Sequence, residues 1–407
     1  MKILFLKDNF VFGGDVKFFY NLILPFTKSK KNTISIICNN FDKDTNELYF
    51  PIKKKCNFFF ERTSLIKSIF TIYKYNLLVK IINKFLYIFL PIKIAYLVFK
   101  YIKIIKSFSP DIVISCNGGY PGSHRCLAIV YASKILKISS IMIVASTPAK
   151  KKGLFYIYEN LIDYFVTHSV SKIFTNSKYQ KMLLYRDRNI LLQKLHTIYN
   201  GIKINKKKFK KINFKKKLIN LGVISRLDKE KNLDKLIKLM FFLKNEKKNY
   251  CLTVVGKGDE EENLKKIAKK LGVKSKVRFV GFVKNQHINR HLKKMDIFLF
   301  PSELEGLPYS VLEAINEGIP VISGNSGGLN EIFLNQKDIL SITSVTPLKL
   351  KKCILKYVNS SSMANKLRKK AYIKLNLFFN IDKMTFLFKR NIIKLTSNDY
   401  KIYKKNI

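Results

Sequence analysis

The chain contains no Trp and only five His, and of its 77 Lys and Arg just nine are Arg. Acids are scarce as well: 27 Asp and Glu leave a formal net charge of +50. Such a field suits nucleic acid or an anionic membrane. The scarcity of Arg argues against the first, because Arg makes the bidentate phosphate and base contacts of a dedicated nucleic-acid binder. Abundant Lys, Asn, Ile and Phe without Trp is also what drift in an A/T-rich coding sequence produces. Nucleic acid is therefore not an expected partner. The six cysteines (38, 56, 116, 126, 251 and 353) form no CxxC pair, which reads as reduced, buried thiols of a cytoplasmic protein. No long apolar run is present. The nearest, Phe85–Phe99, is interrupted by Pro91 and Lys93 and falls short of the roughly 20 residues a spanning helix needs; a core or interfacial helix is expected there. Met1-Lys2 runs into an apolar stretch too short for the core of a secretory signal, so none is expected.

What is there is enough apolar material for real cores, 47% of 407 residues, which excludes disorder as the main description and favours two or three domains. Short apolar runs alternate with helical patterns, the signature of parallel α/β layers. Lys2–Leu6, Thr33–Cys38, Asp111–Cys116, Ser140–Ala145, Lys172–Thr175 and His196–Tyr199 read as strands. Helices are expected over Asp15–Phe26, Ser64–Ser107 and Leu154–His168. After Asn200-Gly201, Lys203–Lys217 carries nine Lys and no acid and reads as a solvated linker. The strand-then-helix pattern then resumes: strands at Leu218–Ser225, Cys251–Val255, Val277–Phe279, Ile297–Phe300 and Pro320–Ser323, and helices at Asn232–Phe242, Glu260–Leu271 and Pro308–Glu317. The reading is two doubly wound domains facing a cleft: residues 1–200, a linker 201–217, residues 218–378, and a tail helix 379–407.

Two segments carry chemistry. In the first, Ser302 to Ala314, a strand ends at Phe300, a loop holds Glu305 and Gly306, and Pro308 suits the first turn of a helix closed by Gly318. Ligands bind at the carboxyl ends of parallel strands, and a helix start suits a phosphate. Glu305 and Glu313 could face one cleft and accept hydrogen bonds from paired sugar hydroxyls; alternatively they are a helix-terminal acid and a solvated one. In the second, Gly222 to Asn232, Arg226 follows a strand end and Lys231 begins the next helix. These two cations could neutralise a diphosphate leaving group, or be surface charges in a Lys-rich chain.

In their order, the Gly13-Gly14 loop, Asn200-Gly201-Ile202, Arg226 with Lys231, Val255-Gly256-Lys257-Gly258, Gly281-Phe282, Glu305 with Glu313, and Gly327-Gly328 with Glu331 resemble the retaining glycosyltransferases of family 4, of GT-B fold. The likeness spans most of the chain and is strongest from Leu218 to Phe333. It implies transfer of a sugar from a nucleotide diphosphate sugar to an acceptor hydroxyl on a glycan or lipid-linked molecule, at a cytoplasmic site or the inner face of the membrane. It implies no cofactor and no divalent metal. By the same resemblance Glu313 would hold the ribose hydroxyls, Glu305 would lie against the donor sugar, and Arg226 and Lys231 would clamp the diphosphate with amides of Gly306, Leu307 and Tyr309. Phe282 and Val283 would border the base, and Gly13 and Gly14 would admit the phosphates.

One departure stands out. The family usually carries a His where this chain has Ser146; a hydroxyl can still bond a sugar but cannot carry a proton near neutral pH. His287 and His291 have the spacing of a metal pair without an evident third ligand, and a solvated helix face explains them as well. His124 could line the acceptor side or simply lie on the surface. The Lys67–Lys106 stretch could rest on an anionic bilayer or pack on the first domain's sheet. Alternatives to the glycosyltransferase reading are a GT-B phosphorylase, a nucleotide-sugar epimerase, and a non-catalytic basic protein that binds membrane or nucleic acid.

Overall fold

The computed structural model describes residues 1–8, 14–39, 49–61, 89–151, 156–205, 210–303 and 305–405, with the side chains of residues 398–405 left aside. The chain divides into two compact units, residues 1–198 with 384–407, and residues 199–383.

The first unit is a parallel sheet of order β3-β2-β1-β4-β5-β6-β7. Its strands are β1 (Lys2–Lys7), β2 (Thr33–Asn39), β3 (Asn57–Glu61), β4 (Ile112–Asn117), β5 (Ser140–Val144), β6 (Lys172–Thr175) and β7 (Leu195–Thr197). Every residue of β4 and β5 is buried, as a central strand covered by helices on both faces demands. The helices are α1 (Gly14–Ile23), α2 (Leu90–Phe108), α3 (His124–Ile135), α4 (Tyr156–Ser169) and α5 (Lys178–Arg188). Two of them start on serine caps: Ser123 accepts from the Cys126 N–H and Ser177 from the Gln180 N–H, which satisfies amides left open by the first turn.

The second unit is a parallel sheet of order β10-β9-β8-β11-β12-β13. Its strands are β8 (Leu218–Ile224), β9 (Asn249–Val255), β10 (Val277–Gly281), β11 (Ile297–Phe300), β12 (Val321–Gly324) and β13 (Leu340–Ile342). Between them run α6 (Leu233–Phe242), α7 (Glu261–Lys270), α8 (Ile288–Leu292), α9 (Tyr309–Asn316) and α10 (Gly327–Asn330), followed by α11 (Pro347–Asn359) and α12 (Ser361–Phe378). One core of buried Leu, Ile and Val joins β8, β9 and β11 to α6, α11 and α12.

The last helix, α13 (Ile381–Lys405), lies mostly in the first unit. Phe388 is buried there, edge-on to Phe26 and Phe174 at 6.1 and 5.8 Å. The expected helix over Ser64–Ser107 is described only from residue 89, and there the helix opens at Leu90. Pro91 thus falls in a first turn, where its missing N–H costs nothing. Strands β3 and β13 have no counterpart in the sequence reading. In the Lys-rich segment the described lysines from Lys210 onward are exposed, but Phe214 is buried, and the Ile212 and Phe214 N–H groups donate to Asn365 and Ser361 of α12.

Candidate functional site

In the second unit the chain runs outward from β8 through β9 to β10, then returns to β11 and runs the other way. Strands β8 and β11 are neighbours, so the loops leaving their carboxyl ends diverge and open a crevice, the place where open α/β sheets bind ligands. The loop after β8 carries Arg226 and a short turn of 3-10 helix, Lys229–Lys231. The loop after β11 carries Glu303, Glu305 and Gly306 and leads into α9, with Pro308 at its N-cap position and Tyr309 its first residue.

The two loops are joined by charge. Lys231 Nζ is paired with Glu305 Oε1, both side chains largely buried. Lys235 lies 3.7 Å from Glu303, whose other oxygen accepts from the Val345 N–H at 3.1 Å. Asn232 takes the left-handed conformation, φ 54°, which Asn tolerates better than most residues; its amide donates to the Pro301 carbonyl at 3.3 Å. Arg226 is half exposed and bonds Asp228 at 2.8 Å. Leu307 is buried, and its carbonyl accepts from Asn200 Nδ2 at 2.8 Å. Gly306 and Tyr309 are buried, and Glu313 is half-buried on α9.

Two glycines permit this arrangement. A Cβ on Gly328 would stand 1.3 Å from the Gly306 carbonyl oxygen, so the loop after β11 rests directly on α10. Gly256 has φ +139°, and a Cβ there would meet the Ser225 carbonyl oxygen at 1.9 Å. Its N–H donates to the Gly281 carbonyl at 2.8 Å, which sets the segment holding exposed Phe282 and half-buried Val283 at the same sheet edge.

Sequence reasoning passed over several groups here. The hydroxyls of Ser302, Ser323 and Ser326 are buried at the ends of β11 and β12 without a hydrogen-bond partner among the described residues. For Ser302 and Ser323 the signal is a serine closing an apolar run. Tyr199 is bonded to Glu331; burial, then that carboxylate, push its phenol well above the usual range.

The first unit repeats the geometry between β1 and β4. Lys7, 1% exposed, contacts Asp15 of α1 at 2.6 Å and the Cys116 thiol at 3.9 Å. Burial alone would lower the Lys7 pKa, but Asp15 and Cys116 outweigh it and the net shift is upward. Burial pushes the Cys116 thiol up to about 11. Arg125 bonds Asp8 at 3.3 Å and pairs with Glu61. Lys7, Asp15 and Arg125 were not singled out from sequence. Gly14 opens α1, and Gly13 lies outside the described residues. Ser146 is exposed just after β5, and half-buried His124 opens α3. His287 precedes α8 and His291 is the fourth of its five residues; among the described residues no group of three His, Cys, Asp or Glu could hold a metal.

The model of the family "Glycosyl transferases group 1" matches residues 204–374. Two uncharacterised glycosyltransferases of Methanocaldococcus jannaschii are 30% and 28% identical over 43% and 57% of this chain, the matches covering 47% and 60% of their own lengths. A GDP-mannose-dependent phosphatidylinositol monomannoside mannosyltransferase of Mycobacterium tuberculosis is 34% identical over 28% of this chain and 31% of its own length. The chain thus spans between a third and three fifths of the length of these curated relatives. Among solved structures, Anabaena HepE in complex with UDP superposes with a TM-score of 0.74 at 16% identity, covering 97% of this chain and all of that one. The same protein with UDP-glucose gives 0.72. Two parallel-sheet, Rossmann-like units of seven and six strands, similar to those of solved GT-B glycosyltransferases, bear out the expected fold class. The match to group 1 glycosyl transferases in sequence falls on the second unit, with the switch-point crevice inside it.

Proposed function

We propose that this chain is a retaining glycosyltransferase that moves a hexose from a nucleotide diphosphate sugar to the hydroxyl of a glycan or lipid-linked acceptor. The observation that carries this reading is the ion pair of Lys231, in the loop after β8, with Glu305, in the loop that leads into α9, at the switch between β8 and β11 and inside the segment that the group 1 family model matches. Related proteins, one solved with UDP and UDP-glucose and one dependent on GDP-mannose, point to the same donor class.

Breaking the bond between the sugar and the β-phosphate leaves negative charge on the departing phosphate oxygen. Lys231 and Arg226 neutralise it, and the amides of Gly306, Leu307 and Tyr309 add donors already in place. Pro308 has no N–H to give. Glu313 accepts from the ribose hydroxyls, and Glu305, held by Lys231, faces the donor sugar. Phe282 and Val283 border the base. The acceptor oxygen attacks from the face the diphosphate leaves, without a protein nucleophile and without a divalent metal. The six free thiols fit a reducing, cytoplasmic setting, and a lipid-linked acceptor would bring the enzyme to the inner face of the membrane.

The test is release of nucleoside diphosphate from UDP-glucose, UDP-galactose, UDP-N-acetylglucosamine and GDP-mannose, with and without chelator. Release from one donor that persists in chelator supports the reading. Release from none, with an acceptor glycan or glycolipid supplied, or release that chelator abolishes, counts against it.

A further inference from the structure

Strand β7 is an edge of the first unit's sheet, and a cavity of about 460 Å³ lies against it, walled by helices α5 and α13. All of its lining belongs to the first unit. Helical spacing builds two of the walls: Lys178 and Lys181 stand three apart on α5, and Leu387 and Asn391 four apart on α13, so each pair shares one helix face. Phe388 fixes α13 there, edge-on to Phe174 of β6 at 5.8 Å. Phe174, Leu387, Met182 and Leu192 make much of the lining apolar. Met182 and Leu192 are 49% and 45% exposed, so the cavity is open to solvent. Cavities of roughly 300–1,000 Å³ with apolar walls and a few polar groups suit small molecules.

The charge of this cavity has one sign. Lys178, Lys181 and His196 line it. Half-buried Lys172 reaches the same wall, where its ammonium donates to Asn391 Oδ1 at 2.8 Å, a neutral amide and not a carboxylate. The segments that supply the lining, residues 170–198 and 384–397, contain a single acid, Asp187, and Arg186 bonds it at 2.8 Å. Burial first, then the charges of Lys172 and Lys181, lower the His196 pKa. Burial, then Lys394, lowers that of Lys172. Further positive charge is therefore resisted here, and a bound anion would relieve both groups.

Two ammonium groups and an imidazole offer more donors and charge than one carboxylate uses, and they match a phosphate dianion. An inorganic ion would leave the apolar lining uncovered. We propose that the cavity beside β7 binds a small organic phosphate, its phosphate among Lys178, Lys181 and His196 and a compact apolar body against Phe174, Leu192 and Leu387. This goes beyond the proposed reaction and does not depend on it: every residue given a role in that reaction belongs to the second unit, and the probe used below carries no sugar.

The experiment follows the His ring Cε1–H signals of the full chain by NMR at pH 7 while phenyl phosphate is added, with His196→Gln to assign that residue's signal. The His196 signal should move saturably, and its pKa should rise with the probe bound, because an anion stabilises the imidazolium. Inorganic phosphate, lacking the apolar body, should bind at least about tenfold more weakly. Lys178→Gln/Lys181→Gln, checked for an unchanged circular dichroism spectrum, should also bind phenyl phosphate at least about tenfold more weakly. Lys269→Gln/Lys270→Gln, exposed on α7 of the second unit, loses the same net charge and should bind as the parent does. An unmoved His196 signal, a lowered His196 pKa or equal affinity for inorganic phosphate overturns the inference. So does equal binding by the α5 variant, or equal loss in the α7 variant, which would assign the effect to the overall charge.

Discussion

Lys231 and Glu305, 74 positions apart in sequence, form an ion pair that ties the loop after β8 to the loop after β11. In the proposed reaction this pair supplies a cation, already localised in the loop ahead of α9, to the leaving diphosphate. It also makes Glu305 a competitor of that diphosphate for the same ammonium.

The two halves of the pair should therefore respond in opposite ways. Lys231→Ala should lower kcat/KM for the donor by about 10²–10³-fold, the usual loss for one electrostatic contact to developing charge. Glu305→Gln frees the ammonium and should tighten nucleoside diphosphate binding by about two- to fivefold, the scale of a partly exposed ion pair, while turnover falls. Binding weakened in both variants would contradict the competition.

Gly328 has no room for a side chain because the Gly306 carbonyl occupies the space. Gly328→Ala must push the loop after β11 away, at a cost of about 1–3 kcal/mol. Urea denaturation should show a lower midpoint, and donor KM should rise as the amides of Gly306 and Leu307 move. An unchanged midpoint and KM would mean the loop is not seated as described.

The Lys7–Asp15 pair is a buried contact of different consequence. Lys7→Ala leaves the partly exposed Asp15 carboxylate without its cation and should cost about 1–3 kcal/mol, whereas Lys7→Met/Asp15→Leu removes both charges and should recover most of it. Thermal melts of both variants decide this; equal loss in both would point to a packing role for the Lys7 stem alone.

His196 carries a prediction for pH. Burial first, then the charges of Lys172 and Lys181, lower its pKa below the ordinary value of 6.5. A group whose pKa is lower in the folded state binds protons more readily when unfolded. Its contribution is fully present above the ordinary His pKa and is lost as pH falls through the lowered folded value. The melting temperature of the parent should drop between neutral pH and about pH 5, and His196→Gln should flatten that drop. An identical pH profile in the variant would contradict the assignment.

Much of this was legible in sequence because it is local. Continuous apolar runs such as Ile297–Phe300 bounded by turn residues announce buried parallel strands, and the interval from Phe300 through Pro308 to Gly318 marks a strand, loop and helix. What stayed hidden depends on partners far along the chain. Nothing near Lys231 indicates that Glu305 is its partner, and nothing near Gly328 indicates that Gly306 excludes a side chain there. Strand β3 escaped because NFFFE, a mostly exposed edge strand, lacks the buried alternation that marks a half-covered one. Strand β13 is three residues long and carries no pattern. Of the helix expected over Ser64–Ser107, residues 64–88 lie outside the described residues, and Leu90–Phe108 is helical. Phe214 and Ile212 are masked by the lysines around them, so a packed segment reads as a solvated one.

The most direct test of the central claim, that the switch-point crevice of the second unit seats a nucleotide diphosphate, is calorimetric titration of UDP and GDP into the parent, Lys231→Ala and Glu313→Ala. The account predicts saturable binding of one nucleotide by the parent and at least about tenfold weaker binding by each variant, a loss of about 1.4 kcal/mol or more. Failure of the parent to bind either nucleotide, or equal affinity in all three proteins, would contradict it.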